Sequence, residues 1–365
     1  MSAVGVGLVG AGTISDAYLS NLTAFPDLSV RRVADLDLER AAAQAQRYGV
    51  PQSGTTADLL ADPEIGIVVN LTVPAVHAEI GLAALDAGKH VWTEKPLALD
   101  RAAGRKLLER AKENGLRVAG APDTVLGAGL QTARRAIDAG LIGEPAAALA
   151  LFQSPGPERW HPAPEFLFGP GAGPLLDMGP YYLTALVHLL GPIAQVKGHG
   201  RRPTPTRTIG SGPRAGTSFP VLVDTTVTAL IEFVSGASAQ LVTSFDSALS
   251  RAALEITGSG GAAVLPDPNT FTGDTMIYRA DGPSSLPAAG HAATRGTGVL
   301  ELARSIAAGV PERASGEIAY HVLDTMLAIE ESIAGRRSVT VESTCTVPPP
   351  LPADFDPYSS TLIRS

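Results

Sequence analysis

Val4-Gly5-Val6-Gly7-Leu8-Val9-Gly10-Ala11-Gly12-Thr13-Ile14-Ser15 is the stretch that decides the fold of this chain. Val4 to Val9 is a short apolar run ending in glycine, as a buried parallel strand requires. Ile14, Tyr18 and Leu22 then recur at i, i+4 and i+8, one face of a helix. Between strand and helix, Gly10 permits a tight turn. Gly12 lets the backbone approach a pyrophosphate at the positive end of the helix, with Thr13 and Ile14 opening that helix beside it. Ser15 stands where the dinucleotide fingerprint carries a third glycine or alanine, and its small side chain still allows close packing. Asp35 ends the next strand-like run, Val30 to Ala34, at the distance from the glycines that the fingerprint asks of an acidic residue. A carboxylate there accepts hydrogen bonds from a ribose diol and repels a 2′-phosphate, so NAD is expected in preference to NADP. Leu36 offers nothing to that phosphate, whereas Arg40, one helical turn on, can soften the preference. The competing reading of Asp35 is a solvated turn residue.

Outward from this stretch the alternation continues. Asp37 is a good N-cap for a helix Leu38–Tyr48 that Gly49 closes. Ile65 to Leu71 is a third apolar run, Ala75–Ala87 a helix, Val91 to Thr93 a strand, Asp100 the cap of a helix running to Asn114, and Arg117 to Gly120 a further strand. Strand alternating with helix implies a parallel sheet covered on both faces, an α/β fold. After about residue 123 the rhythm changes. Val227, Ala229, Ile231 and Phe233 alternate with polar or small neighbours, and Ser235-Gly236 signals a hairpin. The expected organisation is a dinucleotide-binding Rossmann domain over 1–123 and an α+β domain over 124–365. The latter holds an open, largely antiparallel sheet, with helices around Gly179–Leu190 and Ile318–Ala334. The Pro-, Gly- and Arg-rich segment His199–Pro220 reads as a long arm, expected at a subunit interface or over the substrate cleft. Pro266–Gly298 reads similarly as loop.

With 28 Lys+Arg against 36 Asp+Glu, the net charge of −8 argues against nucleic acid, which needs a basic face. A single cysteine, Cys345, forms neither an internal disulfide nor a thiolate cluster, so a reducing cytoplasm fits best and no metal site is expected. No basic start followed by an apolar stretch marks a signal peptide, and no apolar run approaches the roughly 18 residues of a membrane helix.

The candidates for chemistry lie where strands end. Glu94-Lys95-Pro96 follows the run His90-Val91-Trp92-Thr93, and Lys95 is one of only five lysines. A lysine's pKa is readily shifted by burial or a neighbouring charge, which suits it to proton chemistry. Asn70-Leu71-Thr72-Val73-Pro74-Ala75-Val76-His77 ends one strand and opens a helix. Pro74 shapes the turn, and Thr72 and His77 are candidates for the nicotinamide half of a cofactor; a packing histidine is the alternative. In Gly173-Pro174-Leu175-Leu176-Asp177-Met178-Gly179-Pro180-Tyr181, Asp177 and Tyr181 are four residues apart and can be presented from one helix start. A nearby lysine cation favours a tyrosine phenolate, which can take a substrate proton. Otherwise Asp177 caps the helix and Tyr181 packs.

Together with Asp138-Ala139-Gly140-Leu141-Ile142-Gly143-Glu144-Pro145, these motifs resemble the glucose–fructose oxidoreductase/inositol dehydrogenase family, Gfo/Idh/MocA, over nearly the whole chain. The resemblance rests on Gly10-x-Gly12, the Thr72–Pro74–His77 turn, Glu94-Lys95-Pro96 and Asp177-x-Gly179-x-Tyr181, and implies an N-terminal domain that binds a nicotinamide cofactor, with Glu94 among its contacts. It implies a lysine, Lys95, contacting both substrate and cofactor, and an acid/base at Tyr181, where many members carry histidine. It also implies a C-terminal sheet that makes a homodimer or homotetramer. Where many members have an arginine-bearing segment, this chain reads Ala121-Pro122-Asp123-Thr124. Asp123 is therefore a candidate for gripping a substrate hydroxyl or for anchoring the domain junction. Trp160 and His161 are candidates for a pocket wall, since an aromatic face suits a sugar ring, with packing as the alternative. The expected activity is hydride transfer between nicotinamide and a secondary alcohol of a sugar, glycoside or cyclitol. The rivals are a glycosidase working by transient oxidation and elimination, and a catalytically silent sensor of NAD or sugar.

Overall fold

In a computed structural model, which describes residues 3–362, Val4–Val9 forms β1 and is followed directly by the glycine turn and helix α1, Ile14–Leu22. The expected alternation then unfolds as β2 (Leu28–Ala34), α2 (Leu38–Arg47), β3 (Gln52–Gly54), α3 (Thr56–Ala61), β4 (Ile67–Asn70), α4 (His77–Asp86), β5 (His90–Thr93), α5 (Arg101–Glu113) and β6 (Val118–Gly120). Local chemistry sets the helix ends. Asp37 accepts from Arg40 N at the start of α2, and Asp100 from Ala103 N at the start of α5. Gly49 and Gly115 take φ of 66° just beyond them, where a side chain would be strained. Two elements escape the sequence reading, β3 and α3. The latter is announced by a capping box in which Thr55 and Asp58 exchange hydrogen bonds. The six strands form a parallel sheet in the order β3-β2-β1-β4-β5-β6.

Helix α6 (Ala128–Asp138) follows, then β7 (Pro145–Gln153), α7 (Gly173–Leu190), β8 (Ile193–Arg201), β9 (Thr206–Thr208), β10 (Ser218–Pro220), β11 (Thr226–Phe233), β12 (Ser238–Ser244), β13 (Arg251–Gly258), β14 (Gly261–Leu265), β15 (Thr275–Arg279) and β16 (Gly282–Leu286). Helices α8 (Thr297–Ala308) and α9 (Gly316–Gly335) and the short β17 (Val339–Thr340) complete the described chain. Nine strands form one sheet in the order β16-β15-β14-β13-β7-β12-β11-β8-β17, antiparallel except where β12 runs parallel to β7. The hairpin expected at Ser235-Gly236 joins β11 and β12, with Gly236 at φ 88°.

The segment Pro266–Gly298 is not loop throughout: it contains β15, β16 and the start of α8. The arm His199–Pro220 is likewise built. Its first residues extend β8, and its middle forms the β9–β10 pair. Arg207 is the reason it holds. Its guanidinium pairs with Glu158 at 2.5 Å and with Asp246, and lies 5.2 Å from the centre of the Phe168 ring. Ile209, Phe219 and Val221 pack with Phe168 and Phe245 in a buried cluster.

The chain divides into two compact units. One takes the chain up to Gln131, Ala289–Leu323 and the stretch from Thr346 onward; the other takes Thr132–Ala288 and Asp324–Cys345. The first unit therefore reaches beyond the expected 1–123 and recovers two later segments. Buried Asp27 shows how the last one is tied down. It accepts hydrogen bonds from Thr361 N, Thr361 Oγ1 and Leu362 N, and pairs with Arg304 at 2.9 Å.

Candidate active site

In a parallel sheet every strand ends on the same side, so the groups that follow β1, β2, β4, β5 and β6 share its carboxyl edge. These are the glycine turn, Asp35, Thr72, Glu94-Lys95 and Asp123. Sequence spacing alone could only suggest this assembly.

Gly10 adopts φ 102°, and a Cβ added there would sit 2.7 Å from the carbonyl of Leu71. Gly12 is the opposite case: an added Cβ meets nothing within 4 Å. The turn is thus tight at its first glycine and open at its second, as a backbone that receives a pyrophosphate must be. A cavity of about 490 Å³ lies against it, lined among others by Gly10, Gly12, Asp35, Leu36, Arg40 and Thr72. Asp35 is firmly placed. Oδ2 accepts from Ala11 N at 2.7 Å, and Oδ1 from Asp37 N at 2.9 Å and Arg40 Nη2 at 2.7 Å. Burial pushes this carboxyl up, but Arg40 and the two amides outweigh it and hold it below the usual carboxylate range. The competing reading of Asp35 as a solvated turn residue does not describe this side chain, which is 9% exposed. These residues fit a dinucleotide: an open glycine, helix amides and an ionised acid at the ribose position.

Around β4 and β5 the side chains hold one another. Thr72 Oγ1 donates to Asn70 Oδ1 at 2.6 Å, and Pro74 opens a single 3₁₀ turn, Pro74–Val76. His77 is buried, and its two ring nitrogens face the carbonyl oxygens of Pro96 and Thr72. Glu94 accepts from Tyr18 Oη at 2.7 Å with one oxygen and from Lys95 N at 3.1 Å with the other. Tyr18 in turn accepts from Trp92 Nε1 at 3.1 Å. Burial first, and then the carboxylates of Glu94 and Asp123, push the Tyr18 phenol well above its usual range, so it serves as a proton donor in a hydrogen bond and stays neutral. Tyr18 was legible only as one residue of an apolar helix face. The missed signal is the hydroxyl itself, which needs a partner when buried. Lys95 is half-buried on this turn, and the Lys95–Pro96 peptide bond is cis.

Asp123 is fully buried and faces the start of α8. It pairs with Arg295 at 3.2 Å and accepts from Gly296 N at 2.8 Å and Gly298 N at 3.3 Å. Both of its oxygens are engaged within the first unit, an anchoring geometry.

In the second unit α7 begins at Gly173 with Ala172 as its N-cap, so Asp177 lies inside the helix and does not cap it. Asp177 is half-buried; Tyr181, one turn on and on the same face, is 7% exposed. Trp160 is 68% exposed, which excludes a core-packing role. His161 stands edge-on between Trp160 and Phe166, with ring centres 5.5 and 5.4 Å away. Among the described residues no cluster of three or more His, Cys, Asp or Glu is placed to hold a metal, and no helix is long and apolar enough to cross a membrane.

Known proteins bear on this site. Residues 4–121 match the model of an oxidoreductase family with an NAD-binding Rossmann fold, and residues 130–264 match the GFO/IDH/MocA C-terminal domain. The chain is similar to 1,5-anhydro-D-fructose reductase of Ensifer adhaerens, at 28% identity over 356 residues covering 92% of this chain and 98% of that protein. It is also similar to trans-1,2-dihydrobenzene-1,2-diol dehydrogenase of Bos taurus, 28% identical over 72% of this chain and 74% of that one. Among solved structures, levoglucosan dehydrogenase in complex with NADH and L-sorbose superposes with a TM-score of 0.82 at 24% identity, covering 94% of this chain and all of that one. An NAD-binding oxidoreductase from Klebsiella pneumoniae gives 0.80 at 24% identity over 93% and 99% of the two chains.

Proposed function

The chain belongs to the Gfo/Idh/MocA oxidoreductase family with its NAD-binding Rossmann fold, and from that premise we propose that it oxidises or reduces a secondary alcohol of a sugar, glycoside or cyclitol. The observation that carries this reading is the open second glycine beside an ionised Asp35, with Glu94-Lys95 at the same sheet edge. Bound NAD supplies a hydride acceptor for the carbinol carbon. Asp35 binds the adenosine ribose and favours NAD over NADP. Lys95 polarises the carbinol oxygen, Tyr181 takes its proton, and Asp177 orients the substrate hydroxyls. Trp160 and His161 supply an aromatic wall for the ring. The relatives support this substrate class, since those named act on an anhydro-sugar, a cyclic diol and levoglucosan.

The nine-stranded sheet supports a homo-oligomer. Leu230, Gln240, Leu149, Glu255, Val264 and Met276 stand directly opposite one another across six strands, so they share one face. Leu230 is 58% exposed there. A second copy of this chain is the partner we assign to this face, and the reducing cytoplasm is the compartment that suits a lone Cys345.

The test is an NADH-formation screen over sugars, glycosides and inositols, followed by Lys95→Ala and Tyr181→Phe on the best substrate. Both variants should lose about 10²–10⁴-fold in kcat, the usual worth of a positioned acid/base. Tyr181→Phe should bind NADH as the unmutated chain does. Near-full turnover by Tyr181→Phe would move the acid/base role to another group. Release of aglycone without net NADH would make the reaction an oxidation–elimination cycle instead.

A further inference from the structure

His77 faces two acceptors. Nδ1 lies 2.7 Å from the Pro96 carbonyl oxygen and Nε2 lies 2.9 Å from the Thr72 carbonyl oxygen. A carbonyl oxygen only accepts, and a neutral imidazole carries a single N–H. One proton therefore makes one hydrogen bond and leaves the other nitrogen lone pair against an oxygen lone pair. Turning the ring over puts carbons at both positions and loses both bonds. The side chain is 1% exposed, and the backbone beneath it is held in turn, because Asn70 Nδ2 donates to the His77 carbonyl at 3.0 Å.

We infer that His77 is a positioning residue, held with a proton on each ring nitrogen, that clamps the Thr72 turn to the Lys95–Pro96 turn. Its two bonds serve two different neighbours. Thr72 lines the cofactor cavity, so the Nε2 bond sets the cavity wall. Pro96 follows Lys95 directly, so the Nδ1 bond sets the main chain that carries the lysine. Tyr18 holds the same turn from α1 through Glu94, whose second oxygen takes Lys95 N–H. The lysine turn is thereby pinned on both sides by buried side chains. Of the elements around the imidazole, β4 and the turn Leu71–Val76 bring no charged side chain. Glu79 comes from α4, and Glu94 and Lys95 from the turn after β5. The catalytic consequence rests on the role of Lys95 proposed above; the protonation and the clamp do not.

Ring-¹⁵N-histidine NMR on the full chain at neutral pH tests the protonation, with His77 assigned by its absence in His77→Gln or, if that variant does not fold, through the backbone. Both His77 nitrogens should resonate as protonated, each with an attached hydrogen. A nitrogen in the unprotonated range overturns the inference. Three variants test the clamp with NADH as the binding probe. His77→Asn keeps an amide donor near the Nδ1 position, His77→Gln near the Nε2 position, and His77→Leu keeps neither. His77→Gln should hold NADH within about threefold of the unmutated affinity but lose about 10-fold or more in kcat. His77→Asn should show the reverse split, and His77→Leu should lose both, since a displacement of about 1 Å at a reacting group costs about 100-fold. Equal losses in NADH affinity and kcat for Asn and Gln would reduce His77 to a packing residue. If the unmutated chain oxidises no sugar, the proposed function fails, while the NMR and NADH measurements still decide the clamp.

Discussion

Replacing Gly10 and Gly12 separately by alanine distinguishes a residue needed for the fold from one needed for the cofactor. At Gly10 the new methyl would lie 2.7 Å from the carbon and oxygen of the Leu71 carbonyl and 3.0 Å from Thr72 N, all backbone atoms. It would also occupy φ 102°, outside the ordinary L-residue regions. Overpacking costs about 1–3 kcal/mol and the positive φ about 1–2 kcal/mol more, so Gly10→Ala should lose roughly 3 kcal/mol. For a unit of roughly 200 residues that is a fall in Tm of about 6–12 °C. At Gly12 the methyl meets no atom of the chain, and its φ is not in the left-handed region. Stability should stay within about 1 kcal/mol, since alanine also lowers the entropy of the unfolded chain. The methyl would instead stand where the pyrophosphate approaches. The same overpacking of about 1–3 kcal/mol then appears as about 5–150-fold weaker NADH binding. Thermal unfolding and NADH fluorescence titration on both variants measure the two quantities. A Gly12→Ala protein that melts as the unmutated one and binds NADH equally well would refute the seating of the pyrophosphate at this turn.

Asp35→Ser should narrow the affinity gap between NAD and NADP by about 1–3 kcal/mol in calorimetry, because it removes a charged acceptor and releases Arg40. Tighter binding of NADP than NAD by the unmutated chain would sink that assignment. Asp27→Ala removes the carboxylate that neutralises Arg304 and leaves Thr361 and Leu362 donors unmet, for an expected loss of about 3–5 kcal/mol in chemical denaturation. Burial raises the Asp27 carboxyl, but hydrogen bonds from Leu362, Thr361 and Arg304 outweigh it and hold it low. Its stabilisation is thus present above the ordinary carboxylate pKa and lost as pH falls below it, a loss that Asp27→Ala should not show. Arg207→Ala leaves Glu158 and Asp246 without their shared cation, so trypsin should cut the arm at Arg201, Arg202 or Arg214 far faster than in the unmutated chain. Rapid cleavage there in the unmutated protein would contradict the anchored arm.

Much of this protein was legible before any coordinate. The glycine turn, Asp35 and the alternation through Gly120 belong to a parallel sheet whose strands and helices follow from local periodicity, because a strand buried on both faces must be apolar throughout and its crossover helices amphipathic. The same reading nominated Lys95, since a residue just past a strand lies at the ligand edge. Tertiary structure decided what spacing does not encode. It extended β8 into the supposed arm by pairing it with β11, and it built the β9–β10 pair where Arg207 finds two carboxylates far away in sequence. It returned the chain from Thr346 to the first unit because Asp27 meets Thr361. It set the His77 ring between two backbone carbonyls and gave Glu94 its partner in Tyr18. Each of these depends on a pair of groups distant along the chain. Local propensity and periodicity report which face a residue presents, whereas the partner of a buried polar atom is chosen only when the whole chain has folded around it.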